Sequence, residues 1–456
     1  MKYAVLLAEK YSKLDYQDLG PGTVSKAKEC ILDCLSCIYA GLPFSSSRIV
    51  REYALEHYAT GPCTIIGTQN KLVAPGACLA NSTSGHGPEL DDTSSEAVLH
   101  VGVIVIPVAL ALAEKLKLGG RDMLAAIAAG YDVHIKAGKA ANPETHLAKG
   151  LHPTATCGMF AAAMTASKMM GLTVDQTANA LGIVGSSVAG NLECYSDGSL
   201  TKRLQPGLAS SSGVAAATLA AKGYTGPKGI FEGPRGFFRA YCDNPAPEEL
   251  LKGEGFEIEN ISFKPHACCR FNQTPIDAAL NICVKHDVHA EDIQSIEIDL
   301  SKTGYDIVGQ PAEVKFNPQT VVDAQFSAPY SVAVACLERK AFLEEFSEAA
   351  IQRQDVRDLL EKTTIRHDPE CDRFFPEAWP ARVTITMADG QEFTSEIKYA
   401  KGDPKNRLSW EELLAKFNAL VPDNVLSEEK KRQLMGALTG LEEIKDMNEF
   451  SKLLAR

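Results

Sequence analysis

Apolar residues recur at intervals of three and four from Val24 to Gly41, Ile49 to Tyr58, Ala74 to Ser84, Val103 to Leu118, Arg121 to Ala141, Cys157 to Met170, Thr173 to Val188 and Ala209 to Lys222. That spacing keeps apolar side chains on one face of an α-helix. Gly119-Gly120, Gly171 and the stretch from Gly223 to Pro227 punctuate the ends. So long a succession of helical segments, with no strand period between them, predicts a multihelical domain.

Beyond residue 255 the period changes. Ile296 to Leu300 alternates apolar and polar, and Ala381 to Met387 and Glu392 to Ile397 flank Ala388-Asp389-Gly390 as the strands of a hairpin closed by Asp-Gly. Helices expected at Thr274 to His286 and Ala324 to Glu338 accompany those strands, which makes a small α+β unit. After Gly402-Asp403-Pro404 the chain reads as helical again over Trp410 to Leu420 and Ser427 to Leu454. At 456 residues it exceeds one ordinary core. The expected class is mainly α: a multihelical domain over 1–258, an α+β domain over 259–400, and C-terminal helices over 401–456 that pack back on the first.

The formal net charge of -12 offers no basic face for a nucleic acid. The apolar run Val101 to Ala113 falls short of the roughly 20 residues a membrane span needs and carries Pro107. The stretch after Met1 is too short for a signal peptide, so neither membrane nor nucleic acid is an expected partner, and the expected location is cytoplasmic. The same negative charge would repel a carboxylate substrate, so local lysines must reverse the sign where one binds.

Thirteen cysteines raise the question of metal or disulfides. Cys30, Cys34 and Cys37 match an iron-sulfur spacing, but they fall at i, i+4 and i+7 on an apolar helical face, where small buried thiols are ordinary core residues. Cys268-Cys269 lacks a zinc spacing, and no HExxH pattern occurs. Neither Gly229 to Gly236 nor Gly185 to Ala189 has the glycines of a nucleotide loop or a nucleophile elbow. No metal or cofactor is called for.

Polar clusters interrupt this apolar background: Glu89-Leu90-Asp91-Asp92-Thr93 with His86 and His100, Leu151-His152-Pro153-Thr154, Thr201-Lys202-Arg203 and Phe263-Lys264-Pro265. Charged and imidazole groups lose hydration when buried, so several of them on connectors between apolar helices suggest a convergent pocket. Histidines, lysines and carboxylates together suit proton abstraction next to a carboxylate, with cations stabilising the enolate and a near-neutral base taking the proton.

The same segments, together with Ala27-Lys28, Leu32-Asp33 and Gly402-Asp403-Pro404 ahead of Asn406, give the chain a resemblance to the MmgE/PrpD family that runs in order along nearly its whole length. The resemblance implies a helical domain, a smaller α+β lid, a homodimer and an active site between the domains. It also implies a small polycarboxylate substrate and no metal, since relatives include 2-methylcitrate dehydratase, cis-aconitate decarboxylase and iminodisuccinate epimerase.

Carried over by position, the resemblance makes His152 a general acid or base, His100 a second active-site histidine, Lys202 a carboxylate ligand or proton carrier, and Lys264 a lysine closing over a second carboxylate. It assigns substrate contact to His86, Glu89, Asp91, Asp92, Thr93 and Tyr330. Plainer roles compete: helix capping for His152, Asp92 and Thr93, core packing for Tyr330, and packing for Tyr131 and His134. Ser94, Gln205 and Gln273 stand where relatives often carry histidine, and Glu89 where aspartate is usual. Dehydration of a 2-methylcitrate-like substrate is the leading expectation, although the missing imidazoles weaken it. The alternatives are decarboxylation, epimerisation, and a non-catalytic carboxylate binder.

Overall fold

The computed structural model describes residues 2–456. It is mainly helical, with one four-stranded sheet and one small two-stranded ribbon. Helices Gly102–Leu116, Gly120–Ala140 and Pro153–Met169 are buried over most of their length. Thr201–Ala221 packs against Pro153–Met169 and Ala74–His86. Small side chains such as Ala161, Ala162 and Ala163, fully buried, let these rods approach closely.

Most helices occupy their expected places, and the departures have local causes. The helix expected from Ala209 begins at Thr201 and holds Pro206 in its second turn. Its first turn hides from a periodicity search because Lys202 and Arg203 point inward, both nearly buried. Lys202 therefore lies on a helix, not on a connector. Pro153–Met169 likewise starts early, with proline in its first turn. The segment Ala324 to Glu338 divides into Val321–Gln325 and Ala328–Glu338, because Ser327 caps the second helix by accepting from Tyr330 N at 3.0 Å. Ser427 to Leu454 is likewise broken, into Glu428–Thr439, a 3-10 turn and Asn448–Leu454.

The larger sheet runs β4 (Thr363–His367), β3 (Ile293–Leu300), β5 (Ala381–Met387), β6 (Glu392–Ile397). β3 and β4 are parallel, with Ile298 opposite Ile365, while β5 pairs antiparallel with both β3 and β6. The expected hairpin closes as read: Gly390, at φ 87°, donates to Met387 O at 2.9 Å. Helix Arg270–Lys285 packs on β5 and β6. β4 was not anticipated, because Thr363 to His367 carries one strong apolar residue, Ile365, and pairs with a strand far away in sequence. The ribbon of β1 (Thr60–Thr64) and β2 (Lys71–Leu72) gives no strand period either, because β2 is two residues long and β1 contains Gly61 and Pro62.

The C-terminal segment rests on the N-terminal helices. Lys416 Nζ donates to Asp33 Oδ1 at 2.6 Å and to Leu90 O at 2.8 Å, and Phe417 meets Tyr39 edge-on at 6.5 Å. Upstream, Gly402 accepts from Phe263 N at 2.9 Å. Its φ is +88°, and a Cβ there would lie 1.9 Å from Phe263 O, so only glycine fits. This contact fixes the backbone beside Lys264. No single helix among the described residues is long and apolar enough to cross a membrane.

Candidate active site

A cavity opens where three helix starts converge: His152-Pro153-Thr154 ahead of Pro153–Met169, Lys202 in the first turn of Thr201–Ala221, and Cys269-Arg270-Phe271 at the start of Arg270–Lys285. Helix N-termini carry partial positive charge and unsatisfied N–H groups, so their convergence favours an anion. The Glu89-to-Thr93 loop closes one side. Thr93 exchanges two backbone hydrogen bonds with Ser262, at 2.8 and 2.9 Å, and so brings Lys264 to the same place.

Glu89 is the hub of the charged groups. It sits at φ 58°, a left-handed conformation rare outside glycine. Its side chain accepts from Lys202, and Lys264 Nζ lies 3.2 Å from its carbonyl and 3.5 Å from its carboxylate. Burial pushes the Glu89 carboxyl up, but the ammonium groups of Lys202 and Lys264 more than offset this and hold it well below the usual range. Burial also opposes ionisation of Asp91, and the facing His100, His86 and Lys264 side chains hold it well below its usual value. For Lys264 burial acts downward, yet Glu89 and Asp91 raise it. Two carboxylates thus face two ammonium groups, and the resting cluster is neutral overall.

The three histidines are held neutral, each in a defined tautomer. His86 Nδ1 lies 2.6 Å from Asp91 Oδ2, and His86 Nε2 lies 2.9 Å from Lys202 Nζ. The ammonium can only donate, so His86 accepts at Nε2 and donates from Nδ1. His100 Nδ1 is 2.9 Å from Asp92 O, a carbonyl that can only accept, so its proton is on Nδ1. Gln205 donates from Nε2 to Asn191 O at 2.7 Å, which leaves Oε1 to accept from His152 Nδ1 at 2.7 Å. His152 and His100, both lining the cavity, therefore carry an unprotonated Nε2. Burial lowers His100 to about 3 and, with the Lys202 charge, holds His152 well below the ordinary imidazole value. The His86 ring lies 5.1 Å from His100 and 5.8 Å from His152 between centroids.

The expected site residues separate into groups. Glu89, Thr93, His100, His152 and Lys202 line the cavity. His86, Asp91 and Lys264 stand directly behind them through the contacts above. Asp92 has a different job: its Oδ1 accepts from Val101 N at 3.2 Å and Gly102 N at 2.8 Å, capping helix Gly102–Leu116, and its Oδ2 accepts from Tyr131 Oη at 2.6 Å. Asp92 thus spends both oxygens on the backbone and on Tyr131, and it does not line the cavity. Tyr330 also lies outside the cavity wall, and its hydroxyl donates to Glu345 O at 2.7 Å. Tyr131 orients Asp92, and His134 donates to Thr154 O at 3.1 Å, so both support the site from behind.

The residues standing in place of histidine hold structure. Gln205 fixes the His152 tautomer. Gln273 accepts from His266 N at 3.2 Å and donates to His266 O at 3.1 Å, tying the turn before Cys269. Ser94 bridges to Leu99 through backbone bonds. Sequence reasoning missed Tyr195, Cys269, Arg270, Phe326 and Trp379 in the wall. It also missed Gln325, which donates to Pro88 O and Ala267 O and accepts from Arg203, linking the Glu89 loop to the segment that follows Lys264.

Glu89, Asp91 and His100 bring possible ligand atoms within 4.8 Å of one another. Both carboxylates already face Lys264, so a cation there would meet an ammonium group. Cys30, Cys34 and Cys37 lie buried along helix Pro21–Gly41, and burial pushes their thiols well above the usual value.

The profile of the MmgE/PrpD N-terminal domain matches residues 5–250, and that of the MmgE/PrpD C-terminal domain matches residues 266–440. Among curated relatives, a cis-aconitate decarboxylase of Aspergillus terreus is 28% identical, over 97% of this chain and 94% of that protein. The cis-aconitate decarboxylase of Mus musculus is 26% identical, over 97% of this chain and 91% of its own length. The Homo sapiens protein of the same name is 26% identical, over 94% and 90%.

Proposed function

The chain belongs to the MmgE/PrpD family, and from that premise we propose that it is a lyase that releases carbon dioxide from a small polycarboxylate of the cis-aconitate type. The observation that carries this reading is the mixed lining of the cavity. Glu89, Thr93, His100, His152, Lys202 and Arg270 supply polar and charged groups, while Val98, Leu147, Leu192, Phe271, Ile307, Phe326 and Trp379 supply apolar surface. A carboxylate pressed against apolar side chains loses hydration and is poised to leave as carbon dioxide. Carboxylates that stay behind need the cationic side.

In the proposed step the carbon–carbon bond to the departing carboxylate breaks, and its electron pair moves into the adjacent alkene. The carbon beside a retained carboxylate then takes a proton. His152 carries that proton. Its Nε2 is unprotonated at rest, and the arrival of a polyanion favours the imidazolium, so a proton enters with the substrate and is returned to carbon. Lys202 stabilises the negative charge that develops on the retained carboxylate, and Lys264 behind it balances Glu89 and Asp91.

Full-length similarity to cis-aconitate decarboxylases supports the same assignment. Dehydration has less support, because Gln205 and Gln273 spend their side chains on structural hydrogen bonds where an acid for expelling hydroxide would be required. The test is NMR of cis-aconitate, 2-methylcitrate and iminodisuccinate incubated with the enzyme in heavy water. Consumption of cis-aconitate with carbon dioxide release and one deuterium in the product is expected. Water loss from 2-methylcitrate, or exchange of iminodisuccinate alone, would replace the decarboxylase reading with a hydro-lyase or an epimerase.

A further inference from the structure

Arg270 stands apart from the other cations of the site. Lys202 and Lys264 are matched by Glu89 and Asp91. Arg270 has its one acidic partner on one side: Nη2 donates to Asp403 Oδ2 at 3.1 Å. Its Nε and Nη1 are buried and meet no acceptor. The side chain is 6% exposed, lines the same cavity as His152 and Lys202, and lies 5.7 Å from the Trp379 ring. It is also the first residue of helix Arg270–Lys285, whose capping residue Cys269 supplies no side-chain acceptor. A buried guanidinium with unused donors beside a helix N-terminus is incomplete without an anion.

We propose that Arg270 binds a carboxylate that remains on the product, and so selects substrates with a carboxylate beyond those that Lys202 and the apolar lining receive. The proposal rests on the reading of the cavity as a polycarboxylate site. It assigns Asp403 the part of holding the guanidinium beside Trp379, and Gly402 that of placing Asp403.

The test uses binding, so it does not depend on which reaction is catalysed. Calorimetry compares propane-1,2,3-tricarboxylate with glutarate, which lacks the middle carboxylate, on the full-length protein and on Arg270→Met, Arg270→Lys and Asp403→Asn. The wild type should bind the tricarboxylate at least tenfold more tightly than glutarate. Arg270→Met should abolish that preference, and Arg270→Lys should reduce it several-fold with the melting temperature little changed. Asp403→Asn should keep most of the preference. If Arg270→Met melts before it can be measured, Arg270→Lys decides. An unchanged tricarboxylate preference in a folded Arg270 variant, or loss equal to it in Asp403→Asn, would show a structural bolt and overturn the proposal. Preference lost in the Arg270 variants, with no decarboxylation by the wild type, would leave this inference standing and remove the reaction assigned above.

Discussion

Gln205 accepts the Nδ1 proton of His152 across 2.7 Å while donating to Asn191 O, so the amide can face only one way and the imidazole can hold only one tautomer. This is the arrangement that keeps Nε2 toward the cavity. Gln205→Leu should lower kcat about 10- to 100-fold with folding intact, the scale expected when the partner that orients a functional histidine is lost. Gln205→Glu places a negative charge on the ring and favours the imidazolium. The alkaline limb of kcat should then move to higher pH, which a pH–rate profile reads directly.

Lys202 and Glu89 form a buried ion pair, and both are almost fully enclosed. Lys202→Met leaves Glu89 to Lys264 alone and should cost about 3–5 kcal/mol, the usual result of stranding a buried charge. Adding Glu89→Gln should recover much of that stability in urea denaturation. Turnover should stay at least a hundredfold down in both variants, because the cation proposed to stabilise developing charge is gone.

Gly402→Ala should destabilise by about 2–4 kcal/mol, combining the strain of a left-handed alanine with the overlap on Phe263 O. Since Phe263 precedes Lys264, KM should rise along with the loss of melting temperature.

Stability should fall in mild acid. His86, His100, His134, His146 and His152 all lie below the ordinary imidazole value because burial disfavours their charge, with His100 and His134 near 3 and His146 near 4. Between these values and about 6.5 the unfolded chain binds protons that the native state refuses, so stability is full above about 6.5 and is lost as pH drops. Asp92 works the other way. Burial and the neighbouring Asp33 raise it to about 7, so its contribution falls as pH rises from roughly 4 to 7. Burial raises the Asp33 carboxyl as well, so five histidines stand against two carboxyls, and differential scanning calorimetry should find a lower melting temperature at pH 5 than at pH 7.

How much of this was legible depends on whether a residue's signal is local. Helices such as Trp410–Leu420 and the β5–β6 hairpin follow from side-chain period and from Asp389-Gly390, and the structure has them where expected. The start of the Lys202 helix was not legible, because inward-pointing Lys202 and Arg203 look like surface residues when only the period is read. The capping role of Asp92 was a recognised alternative from residue type alone. Arg270, Tyr195 and Trp379 carry no such mark: they are far apart in sequence and become a wall only in the folded chain. Gln325 is harder still, since its importance lies entirely in three hydrogen bonds to distant partners.

In the proposed reaction His152 and Lys202 together move the proton and hold the charge when a carboxylate leaves. Carbon dioxide release from carboxyl-labelled cis-aconitate, measured side by side for the wild type, His152→Gln and Lys202→Met, tests it most directly. The wild type should release label, and each folded variant should do so at least a hundred times more slowly. Release by both variants within about threefold of the wild-type rate, or none by the wild type itself, would contradict the account.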